Sequence, residues 1–590
     1  MTRTNRLALI AGLAVAMMFG CKNESDTGTG DNAAAGQTGS AAKGAMAKAG
    51  GAAMPAPASF AMIPSDTPYV IANSAPMPRD AMDKIFKALE PALAKLQTEL
   101  AKEAARLGAS ESQDDKIGAA VLGELNGNLN RAGLEKLGIS TEPHFAIYGV
   151  GLLPVFRVDL KDAAALKAAV ARVEAKAGVK APVMKTGEQE YWGVTKDGLT
   201  VLIAIVGNEL VFAVTPEKAA AKTIPIILGQ TKPAASLAST GALAKLAGEY
   251  GFKGYGTGYV DLKGIANIVL GRGKGLNGEV WAAMEAPMPP LSDVCQTEIL
   301  GMVDNAPRLS FGYTEMTASK MAMSWIIETK PELGKALMAL AAPVPGLGGS
   351  GSMGSMFSFG VGVDLGKTVE FLKGKVGAIT AAPYKCEMLA DLNGSAAEMQ
   401  AGLSQPMPPF LNGIKGFNLV VKSADFSGPQ PKDIKASVLL AIDKPMDLLN
   451  MAKGMVPPLA SLEVKDDGMA VALPAGLVPP VVDAPHIAMK GSALALSVGA
   501  GEEKNLGAIL AGKVDSDPPL LAVSYDMSKF SGMLKKQMEA QMAFLPPEMQ
   551  AEKKAEMEMT QSIMQLFGAL SYSMHLTDKG IVLKQQVVLN

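Results

Sequence analysis

Three cysteines and three histidines carry most of the reactive side-chain chemistry in this 590-residue chain. Cys21 closes an apolar leader, Cys295 and Cys386 stand alone in the body, and His144, His486 and His575 lie far apart. A thiol can be acylated, oxidised to a disulfide or bound to a metal. Metal binding is not expected, because neither Cys295 nor Cys386 has a second Cys or His at ligand spacing. No histidine pair has that spacing either, and no G-x-S-x-G elbow accompanies one. His575 alternates with Leu570, Tyr572 and Met574, where a half-exposed strand histidine is the ordinary reading. Pro143-His144-Phe145-Ala146 and Pro485-His486-Ile487-Ala488 look alike but occupy different places in the chain. Gly349-Ser350-Gly351-Ser352-Met353-Gly354 satisfies G-x-G-x-x-G. A dinucleotide loop needs a strand before it and a helix after it, whereas a Pro/Gly run precedes this one and a strand-like stretch, 356–363, follows. The sequence therefore offers no catalytic residue, no metal site and no cofactor, and no enzyme is expected. Catalysis by paired carboxylates needs no local spacing and leaves no such trace.

The elements around Cys21 explain its chemistry. Arg3 and Arg6 charge the N-terminus, residues 7–19 are apolar, and Gly20 precedes the cysteine, which is the layout of a secretory signal over residues 1–21. The run is shorter than the roughly 20 residues that span a bilayer as a helix. Met18-Phe19-Gly20-Cys21 resembles the lipobox, whose cysteine is diacylated and becomes the new N-terminus. Met18 and Phe19 depart from the usual Leu and small residue, and a plain signal peptide is the alternative. Several acyl chains on Cys21 would supply the multiple apolar anchors that stable attachment requires. By the same resemblance, Lys22 directs the protein to the outer membrane. Residues 22–59, almost all small or polar, cannot bury enough apolar surface to offset their ordering entropy, and a disordered tether is expected there.

The body is too long for one ordinary core. Apolar residues make up 48% of the chain and mean hydropathy is +0.19, yet no later stretch reads as a membrane span. A net charge of −2 gives no electrostatic case for nucleic acid. In an exported body, Cys295 and Cys386 form one disulfide most readily; two free buried thiols are the alternative.

A local device recurs: an apolar strand, an Asp or Asn, then a helix-forming stretch. It places Asn73, Asp159, Asp261, Asp364, Asp443 and Asp526 at expected helix N-caps, where a short acceptor side chain satisfies free backbone N–H groups. The first three anchors are followed by a hairpin pattern, 308–314 with 320–328, and the last three by another, 569–575 with 580–589. This order predicts an α+β fold of two homologous halves, 60–340 and 356–590, joined by a Gly/Pro/Ser linker at 341–355. Each half is expected to be a mainly antiparallel curved sheet with helices on one face.

Methionine is abundant, with 35 in the chain, and densest between 533 and 564. Met538, Met542, Met557 and Met564 read first as a core face. A second reading makes them an adaptable surface for a hydrophobic ligand or protein partner; thioether metal binding ranks last.

Ile63-Pro64-Ser65-Asp66-Thr67-Pro68-Tyr69-Val70 looks like the Pro-x-Asp-Thr-x-Tyr entry to the folded body of large uncharacterised lipoproteins of diderm bacteria. The chain resembles that family, which implies a membrane-anchored class and no mechanism. The expected function is that of an exported lipoprotein, a non-enzymatic binding or structural module. The alternative is a carrier of a lipid or other hydrophobic ligand in a Met/Leu-lined cavity.

Overall fold

The computed structural model describes residues 56–285, 291–348, 355–406, 408–425, 432–474, 476–477, 483–542 and 564–590, with 546, 550, 554, 557 and 561 singly. Cys21, most of the 22–59 tether and the 349–354 glycine motif lie outside the described residues. Two compact units are present. The smaller is helical: Leu93–Ile139 with Asp162–Ala181. Within it the helices Gln113–Leu125 and Ala163–Ala177 pack together, and Glu124 on the first accepts hydrogen bonds from Arg172 and Lys176 on the second.

The larger unit holds every strand among the described residues. These are β1 (Tyr69–Ala72), β2 (Phe145–Val150), β3 (Leu153–Asp159), β4 (Val183–Thr186), β5 (Gln189–Lys196), β6 (Leu199–Val206), β7 (Glu209–Pro216), β8 (Thr257–Asp261), β9 (Arg308–Met316) and β10 (Lys320–Glu328). They continue as β11 (Phe357–Gly362), β12 (Ile414–Asp425), β13 (Lys432–Ile442), β14 (Val471–Ala472), β15 (His486–Lys490), β16 (Ala493–Val498), β17 (Leu521–Asp526), β18 (Phe567–Thr577) and β19 (Gly580–Leu589). The pairings give the spatial order β4-β5-β6-β7-β3-β2-β1-β8-β9-β10-β19-β18-β17-β11-β12-β13-β16-β15-β14, antiparallel throughout.

This corrects the expected pair of homologous halves, each with its own curved sheet. Among the described residues there is one open, 19-stranded sheet. The two hairpins that were to close separate halves instead meet edge to edge, with β10 and β19 paired from Lys320↔Val588 to Glu328↔Gly580. An unpaired edge leaves a row of backbone N–H and C=O groups seeking partners, and each hairpin supplies the other's partners.

The two faces of the sheet differ in an unusual way. Along β11 the buried residues are Ser358, Gly360 and Gly362, whereas Phe357, Phe359 and Val361 are half-buried. On β17 Ala522 and Ser524 are buried, and Leu521, Val523 and Tyr525 are half-buried. The buried face is small because its cover lies close. A Cβ on Gly360 would stand 2.6 Å from Leu347, and one on Gly362 would stand 2.5 Å from the Ala342 carbonyl oxygen. The stretch 341–348 is thus laid against the sheet, with Val344 and Leu347 each 2% exposed. They join Leu506 and Leu510 in a core over Leu439, Ala441, Ala495 and Ala522. At the other arm the same face is covered by the helices Ala220–Ile227, Leu237–Thr240 and Ala242–Tyr250, whose Ile224, Ile227, Leu237 and Leu246 pack on Val70, Tyr148, Val155 and Leu202.

Three of the six expected caps sit at helix starts. Asp261 accepts from Gly264 N (2.8 Å), Asp364 from Lys367 N (3.0 Å), and Asp526 from Ser528 N (3.1 Å). The other three do different work, which corrects their assignment. The helix Ala163–Ala177 is capped by Asp162, not Asp159. Asp159 instead binds His144, Oδ2 to Nδ1 at 2.8 Å. Asp443 stands beside Lys415 (3.3 Å), an ammonium shared with Asp364 (2.9 Å). Asn73, 1% exposed, stands six residues before the helix Arg79–Gly108 and turns to the strands instead. Its amide accepts from Phe145 N at 2.5 Å and donates to the Pro143 carbonyl at 2.8 Å, fastening the ends of β1 and β2. In each case strand pairing brought a partner closer than the next helix turn.

Candidate functional site

Two features of the sheet have the composition of a site. The first is a polar cleft of about 350 Å³ on the small-residue face, at the seam of β10, β19, β18 and β17. Its walls include Ser324, Ser571, Ser573, His575, Lys584 and Gln586. Strand periodicity puts Ser573 and His575 on one face of β18. The Ser573 hydroxyl is 3.0 Å from His575 Nε2. His575 Nδ1 lies 3.2 Å from Asp517 Oδ2, an ion-pair contact without the alignment of a hydrogen bond. Asp517 also binds Lys584, 3.1 Å away and directly opposite Ser573 in the β18–β19 register. The imidazole and then the ammonium hold the Asp517 carboxyl down at about 2, so it is ionised at neutral pH. His575 is 8% exposed, against the half-exposed position expected for it.

The second feature is the opposite face. Across the central strands the register aligns Phe311, Trp325, Leu583, Met574, Leu521, Val361, Phe417 and Leu440 in a single transverse row, one residue from each of eight strands. Beside it runs Tyr313, Met323, Gln585, Tyr572, Val523, Phe359, Leu419 and Val438. Every member of both rows is half-buried or exposed, with Leu583 at 38% and Tyr572 at 40%. Eight strands at about 4.8 Å spacing make this strip roughly 34 Å across. Among the described residues, packed elements lie at its margins. Phe530 of the helix Met527–Met542 stacks on Tyr525, centroids 5.4 Å apart, and Ala88 packs near Leu570 and Val587. At the far end, Leu449 and Leu462 cover Ile487, Met489 and Leu494.

Met557 is 4% exposed, and Met538, Met542 and Met564 are half-buried. Cys295 and Cys386 are bonded, Sγ–Sγ 2.06 Å, and Glu298 braces the bridge by accepting from Lys385 N and Cys386 N, each at 2.9 Å. His486 Nδ1 lies 2.9 Å from the Ala484 carbonyl oxygen. Among the described residues no cluster of His, Cys, Asp and Glu could hold a metal ion, and no helix is long and apolar enough to cross a membrane.

Sequence reasoning missed both features, although each left a partial signal. Ser573-x-His575 in a strand places hydroxyl and ring on one face, but Asp517 is remote in sequence. The alternation Phe-Ser-Phe-Gly-Val-Gly at 357–362 is visible as bulky against small; which side is buried is not. No protein-family model, curated protein or solved structure matches the chain.

Proposed function

We propose that the chain is an exported, lipid-anchored binding module whose bulky sheet face takes the acyl chains of a lipid. The observation that carries this reading is the inversion of burial across the central strands: Phe, Trp, Leu and Val half-exposed, Ser, Gly and Ala buried. Large apolar side chains ordinarily lie inside, and a contiguous apolar patch of more than a few hundred Å² marks an interaction surface. A strip about 34 Å across accommodates an acyl chain, which occupies one leaflet of a bilayer core about 30 Å thick. The leader ending at Cys21 supports the same setting, since an anchored body would meet lipid at the membrane surface, in the outer membrane if Lys22 sorts it there.

Trp325, on β10, is second from one end of the first row and reports on the strip directly. A brominated fatty acid is expected to quench the tryptophan fluorescence of the purified protein at least twofold. Trp325→Phe should remove most of that quenching, and Trp281→Phe, which changes a residue of the helix Gly275–Ala283, should leave it. Equal quenching in Trp325→Phe, or none in the parent protein, would count against a lipid on this face. The anchor has its own test. A palmitate analogue fed to expressing cells should label the protein and fail to label Cys21→Ala; unchanged labelling in that variant refutes acylation there.

A further inference from the structure

We propose that Ser573 is an acyl-accepting nucleophile, served by His575 as base and Asp517 as its orienting carboxylate, for short-chain ester substrates in the polar cleft. This goes beyond the lipid-binding reading and does not depend on it, because Ser573 and His575 alternate with Tyr572 and Met574 and so sit on the opposite face of β18.

The geometry has the parts such chemistry needs. Ser573 Oγ and His575 Nε2 are within hydrogen-bond reach at 3.0 Å, and Asp517 stands at the other ring nitrogen at 3.2 Å. With the ring proton on Nδ1, the nitrogen on the Asp517 side, Nε2 accepts from the Ser573 hydroxyl, and Asp517 acts on the ring by its charge at 3.2 Å. Asp517 is fixed in turn by Lys584. Packing holds the ring, since His575 is buried, while Ser573 remains half-buried at the cleft. Lys584, opposite Ser573 in the register, puts a positive charge on the cleft wall, the kind of group that stabilises an oxyanion in acyl transfer. A cleft of about 350 Å³ is at the small end of ligand sites. Its hydroxyl, amide and ammonium walls favour a short acyl group over a long chain.

The step balances without a further reagent besides water. The Ser573 oxygen bonds the ester carbonyl carbon as its proton passes to His575 Nε2. The C–O bond to the alcohol then breaks, and His575 returns that proton to the departing alkoxide. Water next attacks the acyl-serine, giving one proton to His575, which delivers it to Ser573 Oγ as the carboxylic acid leaves.

The experiment is covalent labelling of the full exported chain with a fluorophosphonate, the adduct located by mass spectrometry, alongside hydrolysis of p-nitrophenyl acetate. The expected result is an adduct on Ser573, absent in Ser573→Ala, with ester hydrolysis lost in the same variant. Asp517→Asn, a change at the half-exposed end of the relay, should slow labelling at least tenfold in protein whose fluorescence and disulfide match the parent. Labelling of another serine, no labelling of the folded parent, or a rate unchanged in Asp517→Asn would each overturn the assignment. His575→Gln adds a second reading if folded: undiminished labelling there also overturns it.

Discussion

Replacing Arg157 by alanine is expected to destabilise the large unit by about 3–5 kcal/mol, the range for breaking one side of a buried ion pair. Arg157 lies on β3 with its side chain 2% exposed. Its guanidinium reaches Glu209 on β7, Nη1 to Oε2 at 2.5 Å, donates to the Ile227 carbonyl, and approaches the Tyr148 hydroxyl at 3.5 Å. Tyr148 is fully buried, and burial pushes its phenol above the ordinary value, so it stays neutral. Truncating the arginine leaves a carboxylate, a carbonyl and a phenol without their common donor. The surrounding core of Val155, Val211, Ile224 and Ile227 cannot supply another. Glu209 is 18% exposed and recovers some hydration, which places the effect toward the lower end. Chemical denaturation followed by tryptophan fluorescence measures the change. The double change Arg157→Met with Glu209→Gln should recover a good part of it, because no unpaired charge then remains. A loss below about 1 kcal/mol in Arg157→Ala would mean that water reaches the site and the charge is not desolvated.

Loss of the Cys295–Cys386 bond is the second large effect. The bridge closes a loop of 91 residues, and in the chain-entropy account a cross-link of that span stabilises by about 4–5 kcal/mol through the unfolded state. Reduction, or the pair Cys295→Ser with Cys386→Ser, should lower unfolding free energy by an amount of that order. The Glu298 contacts to Lys385 and Cys386 have backbone donors and are unaffected by either change. They keep the two segments near each other in the native state, so the loss should appear in denaturation midpoints rather than as a rearranged fold. Oxidised and reduced protein with equal midpoints would refute this.

Much of the local structure was legible. Asp261, Asp364 and Asp526 each precede a helix because an acceptor after a strand is a local solution that needs no distant partner. The hairpins of β9 with β10 and of β18 with β19 could be read for the same reason, since alternation and a short turn fix them within about 20 residues. Asp159, Asp443 and Asn73 carry the same local signature and were misread. His144, Lys415 and Phe145 reach them across strands, and sequence spacing does not report cross-strand distance. Arg157 shows the limit from another side. A lone arginine in Val-Phe-Arg-Val-Asp hints at a special role, but Glu209, Tyr148 and the Ile227 carbonyl become its partners only once β3 pairs with β7.

By itself the sequence determined the α+β composition, the antiparallel hairpins and which two cysteines of the body were available to pair. All of these rest on composition or on contacts between near neighbours. Tertiary structure decided that the two terminal hairpins share an edge and make one open sheet, because an exposed strand edge is satisfied by whichever complementary edge the chain can bring to it. It also decided which side of the alternation is buried. The stretch 341–348 lies on the serine and glycine face of the central strands, so their phenylalanines, leucines and Trp325 are left on the half-open side. The same pairing set Asp517 and Lys584 beside His575 and Ser573.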